Sequence, residues 1–129
     1  MNFAYLILYV DDVPATLQAW ETAFGLERSY LHDDGIYAEL STGSTTLSLA
    51  ETGFGRDHFQ DPDVRAMFDR PPSRHEVGFV TDDVPAAFQR AVDHGMRPVA
   101  GPLEKPWGQV VAWVRDANGI LIELASPMT

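Results

Sequence analysis

Asp11-Asp12-Val13-Pro14-Ala15 returns as Asp82-Asp83-Val84-Pro85-Ala86, an offset of 71 positions, and no other feature limits the possible folds of this chain so sharply. Self-similarity at a fixed distance is the mark of a duplicated structural unit. At 129 residues the chain can bury the core of one domain and is too short for two conventional ones. The duplication therefore predicts a single domain, residues 1–129, made of two modules, 1–53 and 73–129, with 54–72 as a linker.

Both copies of the string lie between an apolar run and a helical pattern. Residues 5–10 and 77–81 read as buried strands. After the first, Asp12 can cap a helix and Pro14 fits its first turn, while Val13, Leu17, Trp20 and Phe24 fall on one face before Gly25 ends it. After the second, Asp83 and Pro85 take the same parts, Phe88, Ala91 and Val92 form the stripe, and Gly95 stops the helix. Further strands are expected at 27–32, 35–40 and 45–50, matched by 97–101, 109–114 and 120–125. Their hairpin turns are 41–44 and Asp116-Ala117-Asn118-Gly119, the latter because Asn and Gly tolerate positive φ. Between the modules, 54–73 is rich in Asp, Arg, Pro and Gly and reads as a connecting loop with a short helix around 64–68.

Composition removes several classes of function. A formal charge of −10 argues against a nucleic-acid partner, which needs a basic footprint. The absence of cysteine excludes disulfides, zinc-thiolate sites and a cysteine nucleophile. The first nine residues have no basic n-region or cleavage site, and no apolar run approaches the roughly 20 residues that span a bilayer. A cytoplasmic protein without a membrane partner is the expectation. No Gly-x-Ser-x-Gly elbow and no Gly-rich phosphate loop after a strand is present.

The strand, Asp-Val cap and helix ending in Phe24-Gly25, then Trp107-Gly108 and the stretch from Val114 to Leu124 with its Asp-x-x-Gly-x-x-x-Glu-Leu ending, resemble the glyoxalase, bleomycin-resistance and extradiol-dioxygenase (vicinal oxygen chelate) superfamily. The resemblance covers both modules and implies an α+β fold: two βαβββ modules forming an incomplete, curved, mixed eight-stranded sheet with helices outside. Metalloenzymes of that family take one ligand from the first and one from the last strand of each module, His and Glu twice. Imidazole and carboxylate leave open positions where two neighbouring substrate oxygens can chelate the ion. Here the corresponding positions are Tyr5, Ser48, Glu76 (or His75 one residue earlier) and Glu123. Tyrosine is a poor ligand at neutral pH and serine cannot replace a carboxylate. The resemblance thus implies no metal, with His75 and Glu123 as the surviving pair if one binds.

Strand alternation favours Glu76. If Leu6, Leu8 and Val10 face the helix, then Val77 and Phe79 do too, which leaves Tyr5, Ile7, Tyr9, Glu76, Gly78 and Val80 on the opposite, binding face. A one-residue shift would bring in His75 instead. A three-residue bulged turn after Asp116 sets Trp113 beside Glu123 on that face, whereas a turn of another length would send it into the core. Trp107, beside Pro106 and Gly108, reads as a rim residue, and Trp20 as core. The expected ligand-binding residues are therefore Tyr5, Tyr9, Ser48, Glu76, Trp107, Trp113 and Glu123. Rings for stacking and carboxylates for donors or cations suit a planar or aromatic, basic small molecule. The leading expectation is a binder that sequesters such a compound, as bleomycin-resistance proteins do. The alternative is a metal-dependent lyase, isomerase or dioxygenase with a degenerate site. Family members commonly pair, so a homodimer is implied, and an unpaired sheet edge gives a physical reason for it.

Overall fold

Asp12 and Asp83 each accept a hydrogen bond from the backbone N–H three residues on, Ala15 at 3.0 Å and Ala86 at 3.1 Å, so both copies of the repeated string open a helix. The computed structural model describes residues 1–128. In chain order the elements are β1 (Tyr5–Val10), α1 (Val13–Phe24), β2 (Glu27–Leu31), β3 (Tyr37–Ser41), β4 (Thr46–Glu51), α2 (Thr52–Arg56), α3 (Pro62–Met67), β5 (Val77–Val80), α4 (Val84–Asp93), β6 (Arg97–Glu104), β7 (Val110–Arg115) and β8 (Leu121–Ala125). The chain divides into two compact units, Met1–Arg70 and the residues from Pro71 onward.

The strands are hydrogen-bonded as two four-stranded mixed sheets with the same order, β1-β4-β3-β2 in the first unit and β5-β8-β7-β6 in the second. In each, the first strand lies parallel to the last and the other pairings are antiparallel. This is the α+β architecture of two βαβββ modules that the sequence predicts.

One face of the first sheet buries Leu8, Val10, Ala38, Leu40, Leu47 and Leu49, and α1 contributes Val13, Leu17 and Trp20 to the same core. Trp20 is fully buried, its ring edge-on to Phe24 with centroids 5.6 Å apart. Gly25 ends α1 at φ 68°, a left-handed conformation open to glycine, and its N–H bonds the Glu21 carbonyl. In the second unit Val77, Ala112, Val114, Ile122 and Leu124 form the buried sheet face, and α4 adds Val84 and Ala91. Each fully buried Val, Leu or Ile side chain contributes about 1.5–3 kcal/mol.

Two expectations change. Strand β6 runs on to Glu104 rather than stopping at 101, because register shifts between Pro98 and Ala100 and between Ala100 and Leu103 accommodate Pro98 and Pro102 at the sheet edge. The stretch read as a connecting loop holds two helices. One is the expected short helix, α3, begun earlier by Asp61 capping Asp63 and Val64 with Pro62 in the first turn. The other, α2, follows β4 directly, and both fall within the first unit.

Candidate functional site

In the second unit the site begins at the turn between β7 and β8. The Asp116 carboxylate accepts backbone N–H bonds from Asn118 at 3.0 Å and Ile120 at 2.9 Å, and Gly119 takes φ 86°. That fixed turn sets the register of β7 on β8, with Trp113 directly across from Glu123. Glu123 also lies across from Gly78 on β5. Trp113, Glu123 and Gly78 therefore share the face opposite the one buried under α4. Glu76 joins them: the Trp113 Nε1–H donates to Glu76 Oε2 at 2.9 Å. His75 turns elsewhere, its Nδ1 donating to the Ser73 carbonyl at 2.8 Å. Beside the two acids the sheet face is open, since a Cβ built on Gly78 would meet no atom within 4 Å.

Lys105 completes the cluster and escaped the sequence reading. Its Nζ stands 5.5 Å from the centroid of the Trp113 ring. Glu123 is held above the usual carboxylate range, chiefly by burial, then by the charge of Glu76 and a hydrogen bond with it, while Lys105 works in the opposite direction.

The matching face of the first sheet carries Tyr5, Ile7 and Tyr9 from β1, Ser48 from β4, and Tyr37 and Glu39 from β3. Ser48 is fully buried and its Oγ is 2.9 Å from the Tyr37 hydroxyl, which donates to Glu39 Oε2 at 2.8 Å. Burial raises the Tyr37 pKa, Glu39 and Tyr5 add to this, and the Ser48 bond opposes it. Tyr37 and Glu39 were also missed. Their alternation with Ala38 and Leu40 marks a two-faced strand, but only the pairing of Glu39 with Ser48 reveals which face they share. Tyr5 is exposed. Tyr9 has its ring edge-on to Phe68, centroids 4.7 Å apart, and is packed over Gly55 of α2. Trp107 is exposed in the β6–β7 turn and donates through Nε1 to Gln109 Oε1 at 3.0 Å. Of the expected binding residues, then, the structure gathers Glu76, Trp113 and Glu123 into one cluster, sets Tyr5 and Ser48 on one face of the other sheet, seats Tyr9 against α2, and leaves Trp107 on a turn.

The sequence matches the family model described as glyoxalase/bleomycin resistance protein/dioxygenase superfamily over residues 2–124. The chain belongs to this superfamily. Solved structures with the same fold include a glyoxalase/bleomycin resistance protein/dioxygenase family enzyme from Burkholderia phytofirmans PsJN, at TM-score 0.82 and 16% identity with 98% of each chain covered. A glyoxalase-related enzyme from Fulvimarina pelagi matches at TM-score 0.82 and 18% identity, over 98% of this chain and 88% of that one. TioX from Micromonospora sp. ML1 matches at TM-score 0.72 and 21% identity, with 98% of both chains covered. Comparison with curated proteins gives no significant match.

The resemblance locates the superfamily's metal-ligand positions at Tyr5, Ser48, Glu76 and Glu123, which provide two carboxylates and no imidazole. The Ser48 hydroxyl is bonded to Tyr37, and Glu76 is bonded to Trp113. Among the described residues no three His, Asp or Glu side chains converge to hold an ion. These donors do not fit the His-and-Glu set of the superfamily's metalloenzymes.

Proposed function

We propose that this superfamily member binds a small aromatic compound carrying a basic group and sequesters it without a resident metal. The observation that carries the reading is the Glu76–Glu123 pair, flanked by the Trp113 ring and opening onto the space above Gly78. Two carboxylates this close resist joint ionisation, and a ligand ammonium placed between them removes the conflict. The indole supplies a face for the ligand ring and for its cation. The Lys105 ammonium over that ring supports a place for positive charge there, and an incoming basic group would displace it.

Titration with benzylamine and with its neutral counterpart benzyl alcohol, followed by backbone amide chemical shifts, tests the reading. Benzylamine should bind at least about tenfold more tightly, as expected of a charged hydrogen bond, and Glu123→Gln should erase the difference. Equal affinity for the two would overturn it. The metal-dependent reading is checked by elemental analysis of protein purified without chelator, where near-stoichiometric nickel, zinc, manganese or iron would favour an enzyme. A homodimer belongs to the same proposal and is read by sedimentation.

A further inference from the structure

The chain holds 19 acidic and 9 basic residues, of which 12 and 4 lie in residues 1–70 and 7 and 5 beyond them. The second unit is thus nearly neutral, and its positive groups are not spread evenly. Arg74, His75 and Arg115 line one pocket of about 360 Å³, together with Glu76, Gly119 and Leu121. Among the described residues Arg74 and Arg115, like Arg70 and Arg97, have no carboxylate partner, whereas Arg28, Arg56 and Arg65 do, and of the unpaired ones Arg74 and Arg115 share a pocket.

Two further features make the cluster costly to the fold by itself. Arg97 on β6 stands directly across from Arg115 on β7, and like charges facing each other on antiparallel strands repel. Arg74 has φ 60° and is the one non-glycine residue among those described with positive φ. A long side chain is strained there, and such strain gathers where a group is being held for a ligand. Both costs are offset if an anion sits among the guanidinium groups, because arginine pairs with oxyanions through two parallel N–H bonds.

The pocket adjoins the acidic cluster. Arg115 and Leu121 form the cross-strand pair next along the same face from Trp113 and Glu123, a spacing of roughly 7 Å, and Glu76 belongs to both places. The Glu76 carboxylate on the wall is directed to the Trp113 N–H.

We propose that the pocket of Arg74, His75 and Arg115 is an oxyanion subsite, and that the ligand carries a carboxylate or phosphate one ring's length from its basic group. The second half of this statement rests on the reading of the acidic cluster as an amine site. The ligand class is then a planar zwitterion: a ring with its ammonium at Glu76 and Glu123 and its acid at Arg74 and Arg115.

Chemical-shift titration of the full chain with benzylamine, benzoate, inorganic phosphate and 4-(aminomethyl)benzoate tests it. Benzoate should shift the amides around Arg74 and Arg115, and 4-(aminomethyl)benzoate should bind about tenfold more tightly than benzylamine. Arg74→Gly and Arg115→Gln should each remove that gain while benzylamine affinity stays as it was. Because glycine accepts φ 60° without strain, Arg74→Gly should melt no lower than the parent, which separates a lost site from a lost fold. Competition of phosphate with benzoate for those amides would show that any oxyanion is accepted, and failure to compete would narrow the subsite to carboxylates. Absence of benzoate shifts there, or a gain that survives both substitutions, would overturn the subsite. Benzoate shifts without selective benzylamine binding would leave the subsite standing and remove the amine site.

Discussion

Glu123 carries most of the consequences at the scale of single residues. A carboxyl whose pKa rises on folding binds more protons in the folded than in the unfolded chain between its ordinary and its raised value. Stability therefore falls as pH climbs through that window, and the loss is complete above it. Glu123→Gln, which keeps the shape and removes the charge, should raise the melting temperature at pH 8 by roughly 2–5 °C and change it little at pH 4. Melts across that range check the prediction, and a variant less stable at pH 8 would contradict it. Much of this cluster was readable beforehand. The spacing that the resemblance implies from Asp83 back to Glu76, and a three-residue turn after Asp116, put both acids and Trp113 on one face, while a one-residue shift to His75 and a turn of another length stayed open until β5 and β7 were seen paired with β8. Tyr37 and Lys105 were not readable, because each reaches its partners through a pairing or a turn whose exact length the residue pattern leaves open.

At the scale of elements, α2 depends on what it touches. Thr52-Gly53-Phe54-Gly55-Arg56 has two glycines in five residues and little intrinsic helical preference, so propensity gave no hint of a helix. What holds it are the Arg56–Asp69 ion pair at 2.7 Å and the close seat of Gly55 against Tyr9 and Phe68. A methyl group at position 55 would meet Phe68 Cε1 at 2.7 Å and the Tyr9 ring closer still. Gly55→Ala should therefore destabilise the protein by about 1–3 kcal/mol despite the better helix propensity of alanine, as urea unfolding would measure. A stabilised variant would mean that the contact between α2 and β1 is loose. The two long helices were legible for the opposite reason: cap, first-turn proline and apolar stripe all agree within each copy of the repeat. β6 was read too short because its two prolines look like terminators until bulges on an edge strand are allowed.

At the scale of the molecule, residues 1–70 carry −8 of the charge of −10. Mutual repulsion there opposes compaction, and salt relieves it as the Debye length shrinks from about 30 Å at 0.01 M to about 10 Å at 0.1 M. The melting temperature should rise over that range of sodium chloride, and a fall would show that surface ion pairs such as Arg28–Glu21 outweigh the repulsion. Duplication at this scale was visible in the repeated string, yet the two copies have parted in chemistry: hydroxyls, phenols and the single carboxylate of Glu39 on the matching face of one sheet, two carboxylates and an indole on the other. The vacant position over Gly78 offers a practical opening. Because the chain contains no cysteine, Gly78→Cys would create a unique thiol at the rim of the acidic face. A fluorophore tethered there would lie on the face proposed for the ligand, so a bound ligand should push it aside and change its emission.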